Sequence, residues 1–310
     1  MSAETVRKVM QQEIRMADEK IIYTGPSPRG WHRLQLAAEC LQRYAWKYEV
    51  PASGEEGEGK KGTSSPALAK GSLIHLALAQ HYARMRAEQR AERGEDDDPS
   101  DWCDPFVAVD LISRLEETNQ FAQVALDTYE AYAQRYPYEQ EKQSMEIVAV
   151  EDLVQTKIRG KYLLTGRLDL AYRDLGGRLW VMDHKTTGRL QAKHKVYYGM
   201  SGQMHAYLHM ARETYDNVAG LKINMIQHTK PKFERFDMMR SPFLESKFEQ
   251  SVVDIEESIE RMKASGRSYD DWPKSMSELT CIHRYGECNF MDQCRHGAGA
   301  MKGGNWKWVG

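Results

Sequence analysis

The 310-residue sequence contains no long apolar run, and this absence argues against a membrane-spanning protein. A spanning helix needs about 20 consecutive apolar residues, and no stretch of the chain approaches that length. The first twenty residues are polar and charged and lack the apolar core of a signal peptide. We therefore expect a soluble, cytoplasmic protein with no membrane partner.

The sequence also has few cysteines and a net charge close to zero. The chain has five cysteines, an odd number, and without a secretory signal they argue against a disulfide framework and for metal ligation. The formal net charge is only -2. A nucleic acid would therefore have to meet a local basic surface rather than the overall charge.

A predicted β-hairpin over residues 166–185 organises the interpretation. Two runs rich in apolar, aromatic and β-branched residues flank Gly176-Gly177, which can supply the positive φ angles of a tight turn. A two-residue turn would mix apolar and acidic side chains on both faces. A three-residue turn, or a five-residue one, instead pairs Leu170 with Met182 on an apolar face.

The same register places Asp169 opposite Asp183, with Lys185 two residues further along the same face. Carboxylates held close raise each other's pKa unless a cation lies between them, so the group indicates a Mg²⁺ or Mn²⁺ site. Such a metal would polarise a scissile phosphate and activate water, while Lys185 could orient that water or stabilise negative charge. This is the chemistry of phosphodiester hydrolysis. The alternative is an exposed hairpin face with scattered charges.

Helical periodicity predominates in the N-terminal third. The pattern predicts helices over residues 31–48, 67–90 and 105–136. The first of these helices carries Cys40, and the second carries His75. A histidine within an apolar helix is either a core residue or, here, a metal ligand or a contact to the scissile phosphate.

Strands follow in the second third. A strand over residues 146–156 precedes the hairpin, and its Glu151 is either an exposed strand residue or a further acidic group near the metal. A helix after the hairpin places Gln203 and Tyr207 one turn apart on the same face. The patterns after the hairpin predict a helix, two strands and a helix, over residues 196–212, 220–228, 233–239 and 241–265.

The C-terminal region contains a group of three cysteines, which are Cys281, Cys288 and Cys294. Thiolates this close require a soft metal or a cluster in a reducing cytosol. One interpretation is a local Cys3His zinc site that uses His283 or His296. The other adds Cys40 as the fourth thiolate of a cubane iron-sulfur cluster with a structural role.

Four short motifs and the cysteines occur together in a distinctive order. The motifs are Gly71-x-x-x-His75, Gly166-x-x-Asp169, Asp183-x-Lys185 and Gln203-x-x-x-Tyr207. The combination resembles the RecB-like branch of the PD-(D/E)XK nucleases, especially the iron-sulfur group with the CRISPR-associated exonucleases, their phage-encoded relatives and the AddB subunit. The resemblance extends from about Cys40 to Cys294. Six residues separate Cys281 from Cys288, where family members commonly have two.

The resemblance implies an α/β fold with a central mixed β-sheet flanked by helices, a restriction-endonuclease-like core. It implies a single nuclease domain over residues 1–310. Within it, residues 67–140 form a helical part with His75, residues 145–240 form the catalytic core, and Cys40 with residues 281–294 forms an iron-sulfur link.

The resemblance also implies a role for each motif residue. The expected metal ligands are His75, Asp169 and Asp183, the catalytic lysine is Lys185, and the DNA contacts are Gln203 and Tyr207. The expected ligands of a [4Fe-4S] cluster are Cys40, Cys281, Cys288 and Cys294. We expect a Mg²⁺- or Mn²⁺-dependent deoxyribonuclease that digests single-stranded DNA from a free end. The basic residues expected to meet phosphates are Lys193, Lys195, Lys230, Lys232 and Arg235.

Three other functions fit parts of the sequence. The chain could be an endonuclease, or an accessory DNA-binding protein of recombination or spacer capture with little cleavage of its own. The intact Asp169, Asp183 and Lys185 argue against an inert protein. An iron-sulfur redox sensor would explain the cysteines but leave the acidic hairpin face unused. A protein partner in recombination or CRISPR adaptation is compatible with the nuclease readings.

Overall fold

The computed structural model describes residues 21–22, 24–50, 65–95, 102–238, 241–283 and 286–296. The helices of the N-terminal part are α1 (Trp31–Glu39), α2 (Leu41–Tyr48), α3 (Pro66–Glu92), α4 (Pro105–Leu115), α5 (Ala122–Arg135) and α6 (Tyr138–Ser144). Helix α3 begins where the Ser65 side chain accepts a hydrogen bond from the Leu68 backbone N–H, with Pro66 in the first turn.

The remaining elements form the sheet, its covering helices and a short C-terminal segment. They are β1 (Met145–Ile158), β2 (Tyr162–Asp174), β3 (Leu179–Thr187), α7 (Lys193–Gly199), α8 (Gly202–Thr214), β4 (Val218–Gln227), β5 (Lys232–Met238), α9 (Pro242–Ala264), α10 (Glu278–Cys281), β6 (Ile282–His283), β7 (Gly286–Glu287) and α11 (Met291–His296). Short 3₁₀ helices lie at Asn119–Phe121 and Tyr269–Asp271.

The five long strands form one mixed sheet in the order β1-β2-β3-β4-β5. All neighbouring pairs are antiparallel except β3 and β4, which are parallel. Parallel neighbours require a crossover connection, and α7 with α8 provides it. The predicted α/β class with a central mixed sheet flanked by helices is confirmed.

Helices cover both faces of the sheet. Val181 packs with residues of α8 and α9 in one apolar cluster, whereas the next residue, Met182, packs with residues of α3 in another. This alternation is the period-2 pattern of a strand buried on both sides. In the described part of the chain, no helix combines the length and the apolarity that a membrane span requires.

The predicted hairpin register is confirmed. Leu170 pairs with Met182, and the strand ladder continues to the turn. The Asp174 N–H donates to the Arg178 carbonyl at 2.9 Å, which leaves a three-residue turn. Gly177 in that turn has a φ of 74°, the left-handed conformation that favours glycine.

Three predicted helices are each divided in two. The break within 31–48 is at Cys40, whose φ of -163° and ψ of 107° are extended. The prediction over 105–136 fails between α4 and α5, where Glu117 takes a φ of 55°. The prediction over 196–212 fails between α7 and α8. The sequence shows helical periodicity on both sides of each break. The prediction missed the breaks because tertiary packing, which the local pattern does not specify, changes the direction of the chain there.

Candidate active site

The candidate active site lies where β2 and β3 separate. Their pairing ends at Leu170 and Met182, and beyond that point the Asp169 side chain replaces the missing strand partner. Its Oδ2 accepts a hydrogen bond from the His184 backbone N–H at 2.7 Å. The carboxylate is thereby held at the opening between two strands, with a rigid backbone on each side.

Asp183 and Lys185 form a close ion pair on β3. The Lys185 Nζ lies 2.8 Å from Oδ1 and 2.6 Å from Oδ2 of Asp183. Only 1% of the Asp183 side chain is exposed, so this charge depends on its neighbours for stabilisation. The two residues of the Asp-x-Lys motif are therefore in direct contact as an ion pair.

His75 reaches the same place from α3. Its Nδ1 lies 3.6 Å from the Asp169 Oδ2. Helix α3 approaches β3 closely at Gly71, one turn before His75, where a Cβ would lie 2.8 Å from the Thr186 Oγ1. The glycine of the Gly-x-x-x-His motif thus allows the helix to bring its histidine to the sheet.

Glu151 joins His75 and Asp169 in one group of metal-ligating side chains. The sequence had left open whether Glu151 belongs to the site. Ligand atoms of His75, Glu151 and Asp169 all lie within 4.8 Å of one another, and in the described residues this is the one such group of three or more metal-ligating side chains. Glu151 is 7% exposed and has a φ of 51°. A left-handed conformation is uncommon for a residue other than glycine, and such strain concentrates at functional sites.

The turn at Gly160 is the sequence signal that could have placed Glu151. Ile158 pairs with Tyr162 across that turn, and in the same register Val150 pairs with Leu170. Glu151 therefore stands opposite Asp169, as residue positions counted outward from Gly160 would have indicated.

The carboxyl groups of this site carry raised pKa values. Burial raises the pKa of Asp169 to about 6 and that of Asp183 to about 6, against the opposing effect of the Lys185 charge. Burial, followed by repulsion from Asp169, raises the pKa of Glu151 to about 9. Three carboxyl groups that resist ionisation together form a site that a cation would stabilise.

The basic groups have the complementary properties. Burial, followed by the charge of Lys185, lowers the pKa of His75 to about 4. The imidazole is therefore neutral at pH 7, as a metal ligand must be. Burial opposes the charge of Lys185, but Asp183 and Asp169 hold the pKa of its ammonium above the ordinary value. Lys185 is thus a fixed cation rather than a proton acceptor near neutral pH.

Gln203 and Tyr207 lie beside this group on α8. The Gln203 Nε2 donates to the Tyr207 hydroxyl at 2.9 Å. A Cβ at Gly166 would lie 3.1 Å from Cε1 of the Tyr207 ring, so the tyrosine packs directly on the backbone of β2. Burial, followed by the charges of Asp183 and Asp169, raises the pKa of Tyr207.

A buried polar network supports the site from the opposite face of the sheet. The Asn224 Nδ2 lies 2.8 Å from Nδ1 of His184 and donates to the Tyr132 hydroxyl at 3.0 Å. The Tyr82 ring stacks on His184 with the centroids 5.8 Å apart. His184, between Asp183 and Lys185 in the chain, is therefore held by α3, α5 and β4 together.

Arg235 belongs to this network, so its predicted contact with phosphate is wrong. Its Nη1 lies 2.5 Å from the Glu141 Oε1, and its Nη2 donates to the hydroxyls of Tyr132 and Tyr82. The strand pattern could not reveal this, because the partners come from distant helices. The predicted lysines differ: all four are exposed, and Lys195 pairs with Glu234 at 2.7 Å.

The four predicted cluster ligands line one cavity of about 280 Å³ away from the acidic group. They are Cys40, Cys281, Cys288 and Cys294. The Cys288 N–H donates to the Cys281 carbonyl at 2.8 Å, which folds the β6–β7 segment back on itself. Burial raises the pKa of the Cys294 thiol, and the other three cysteines add to that effect. Cys103 lies elsewhere, buried in the apolar cluster of α3, α4 and α5.

The N-terminal helices reach this cavity through several contacts with the C-terminal segment. The Gln42 N–H donates to the Pro273 carbonyl at 3.1 Å, and the Trp46 indole donates to Asp270 at 2.9 Å. Trp46 also lies against Phe290, with ring centroids 5.7 Å apart. For the zinc alternative, His296 is exposed, and the His283 side chain lies outside the described residues.

Comparison with known proteins gives one family match. The family model described as the PD-(D/E)XK nuclease superfamily matches residues 31–295. No curated protein matches the chain. Similar solved structures include one titled "Crystal structure of SSO0001", with a TM-score of 0.28 and 14% identity, covering 60% of this chain and 74% of that chain.

Proposed function

The chain belongs to the PD-(D/E)XK nuclease superfamily and is a metal-dependent nuclease, and from this premise we propose that it is a deoxyribonuclease acting on the ends of single-stranded DNA. The observation that carries the proposal is the convergence of His75, Glu151 and Asp169 within 4.8 Å, with the Asp183–Lys185 pair beside them.

The donor set fits a hard divalent cation. Carboxylate oxygens and a neutral imidazole are ligands that Mg²⁺ and Mn²⁺ accept, and the raised pKa values of Asp169 and Asp183 reflect burial that a cation would compensate. We assign His75, Asp169 and Glu151, whose ligand atoms converge, as ligands, and Asp183 as a further ligand, as the resemblance of its Asp-x-Lys motif implies. A bound cation would polarise the scissile phosphate and lower the pKa of water.

Lys185 contributes charge rather than proton transfer. Its ammonium is fixed by both oxygens of Asp183 and stays protonated at neutral pH. Next to a phosphodiester it would stabilise the negative charge that builds up as the bond breaks. Tyr207 and Gln203 would contact the DNA strand where it passes α8.

Exposed lysines near the site support a nucleic acid as substrate. Lys230 and Lys232 are exposed in and after the turn between β4 and β5, and the His228 N–H in that turn bonds to the Thr187 carbonyl at 3.1 Å, two residues beyond Lys185. These lysines can meet phosphates leading to the site. The preference for a single strand is proposed from the likeness of the four motifs to those of the RecB-like exonucleases.

Digestion of end-labelled linear and circular single-stranded DNA, with linear RNA in parallel, tests this proposal. We expect Mn²⁺-dependent degradation of the linear DNA alone, and a loss of about 100- to 1,000-fold in Lys185→Met because a charge-stabilising group is removed. Digestion of the circular DNA would show that the protein is an endonuclease. DNA binding without cleavage would make the chain an accessory protein.

We also propose that the four cysteines hold a [4Fe-4S] cluster. Among the described side chains, no three of the four sulfurs lie within 4.8 Å of one another. The sulfurs around one zinc, with Zn–S bonds of about 2.3 Å, would lie only about 3.8 Å apart. The wider spacing and the 280 Å³ cavity favour a cluster. It would join the break between α1 and α2 to the C-terminal segment.

Metal analysis of anaerobically purified protein tests the cluster. We expect brown protein with about four irons per chain, and loss of iron and colour in Cys40→Ala. Cys103→Ala is the matched control, because this buried cysteine lies outside the cavity, and it should keep its iron. Colourless protein with one zinc per chain that is insensitive to Cys40→Ala would contradict the assignment.

A further inference from the structure

A second cavity, of about 210 Å³, adjoins the candidate active site. It lies between the start of α1 and the start of α8 and is lined by Trp31, His32, Gln35, Gln203 and Tyr207, with part of the preceding loop. Tyr207 belongs to both places, because its ring lies against Gly166 of β2, three residues before Asp169, where a Cβ would be 3.1 Å from the ring Cε1. A group bound in this cavity would therefore lie close to the acidic group on β2.

The aromatic wall of the cavity is held rigidly. The Trp31 ring packs against Phe248 with centroids 5.5 Å apart. On another side it lies on the backbone of Gly202, where a Cβ would be 2.0 Å from the indole Cζ2. Tyr207 is fixed in the same way on Gly166. Two aromatic residues in fixed orientations form a stacking surface that needs little ordering on binding.

The loop before α1 fixes the other wall. The Ser27 Oγ donates to the Thr165 carbonyl at 3.0 Å, and the Arg29 N–H donates to the Thr165 Oγ1 at 2.8 Å. A Cβ at Gly30 would lie 2.9 Å from Nδ1 of His32. The imidazole is therefore folded back toward the loop. The loop is bonded to β2 four residues before Asp169, so the cavity and the acidic site share one strand.

The chemistry of the lining is that of a base-recognition site. Partial burial, followed by the charges of Lys47 and Arg33, lowers the pKa of His32, so a neutral imidazole is available as a donor or acceptor. Gln203 adds an amide group. The volume lies below the roughly 300–1,000 Å³ of sites for drug-sized ligands, and suits one flat ring system.

We propose that this cavity takes one unpaired nucleobase of the DNA strand, next to the phosphate at the Asp183–Lys185 pair. The base stacks on Trp31 or Tyr207, and His32 and Gln203 contact its edge. The inference rests on the proposed DNA-cleaving function and adds to it a fixed register between one base and the cleavage point. It also explains why an unpaired strand is needed, since a base within a duplex could not enter the cavity.

An abasic scan tests the register. Single-stranded oligonucleotides with one abasic position, moved stepwise from the end, are titrated onto the Lys185→Met protein with Ca²⁺ in place of Mn²⁺, so that the slow residual cleavage of this variant does not interfere. One position should weaken binding about fivefold or more, because base-aromatic stacking contributes about 1–3 kcal/mol. A fluorescent 2-aminopurine base at that same position should change its emission on binding, and at distant positions it should not.

The variants separate the cavity from general DNA binding. In Trp31→Ala and in His32→Ala, both placed in the Lys185→Met background, the position-specific penalty should shrink, while Phe106→Ala, an exposed aromatic residue on α4, should retain it. His32→Ala decides the question if Trp31→Ala does not fold, because His32 is an exposed side chain.

If the wild-type protein cleaves DNA but no abasic position weakens the binding of the oligonucleotide, this inference alone is overturned. A position-specific penalty unchanged in both variants would likewise overturn it. A wild-type protein that neither binds nor cleaves single-stranded DNA would overturn the proposed function first.

Discussion

Replacing Arg235 with methionine should destabilise the fold by about 3–5 kcal/mol, the usual cost of removing one partner of a buried ion pair. The Arg235 guanidinium bonds to Glu141 and the Tyr132 hydroxyl at 2.5 Å each, and lies 3.7 Å from the centroid of the Tyr136 ring. Glu141 is 5% exposed, so without Arg235 its carboxylate is buried without a cation. Urea unfolding followed by circular dichroism measures the loss.

Two controls make this result specific. Lys232→Met, on an exposed lysine of the same strand, should change the free energy of unfolding by less than about 0.5 kcal/mol. The double variant Glu141→Gln/Arg235→Met should recover part of the stability, because the unpaired charge is gone. If Arg235→Met were as stable as the wild type and only weakened DNA binding, Arg235 would be a phosphate contact and the buried network would be refuted.

Three further predictions concern the site itself. Glu151→Gln should weaken Mn²⁺ binding about tenfold while leaving the metal-free protein as stable or more stable, because it removes a carboxyl group whose raised pKa costs folding free energy at neutral pH; isothermal titration and urea unfolding measure the two effects, and unchanged binding would exclude Glu151 as a ligand. Gly166→Ala should lower cleavage about tenfold or more without unfolding the protein, because its Cβ would lie 2.3 Å from the end of the Met210 side chain and 3.1 Å from the Tyr207 ring, so that Met210 must move and the Tyr207 ring must shift with it; wild-type rates would show that this packing does not matter for cleavage. Mn²⁺ binding should weaken about tenfold per pH unit below the pKa of about 9 of Glu151, and more steeply below about 6, where Asp169 and Asp183 also gain protons, because each carboxyl group must lose its proton to bind; a flat profile between pH 5 and 8 would contradict these raised pKa values.

The strand register could be predicted from the sequence because only one register separates apolar from acidic side chains. Leu170 and Met182 on one face, with Asp169 and Asp183 on the other, leave little choice once the turn is placed at Gly177. His75 was likewise predictable as a candidate, since a polar side chain within an apolar helix has few reasons to be there.

The missed features depend on contacts between distant segments. Glu151 has the alternating pattern of an exposed strand residue, and only the register across the turn at Gly160 connects it with Asp169, while its burial comes from the tertiary packing. Arg235 has the appearance of a surface cation, yet its partners lie on α3, α5 and α6. The extended backbone at Cys40 is invisible in a helical pattern that continues on both sides.

Metal-dependent cleavage by an Asp183 variant tests the central claim most directly. Protein stripped with chelator is supplied with Mn²⁺ in increasing amounts, and the release of label from the end of single-stranded DNA is measured for the wild type and Asp183→Asn. We predict no wild-type cleavage without metal, saturable cleavage with it, and a loss of more than about 100-fold in the variant, beyond the 10- to 100-fold typical of residues that only support metal ligands. Wild-type cleavage in chelator, or full activity in Asp183→Asn, would contradict the assignment of this site.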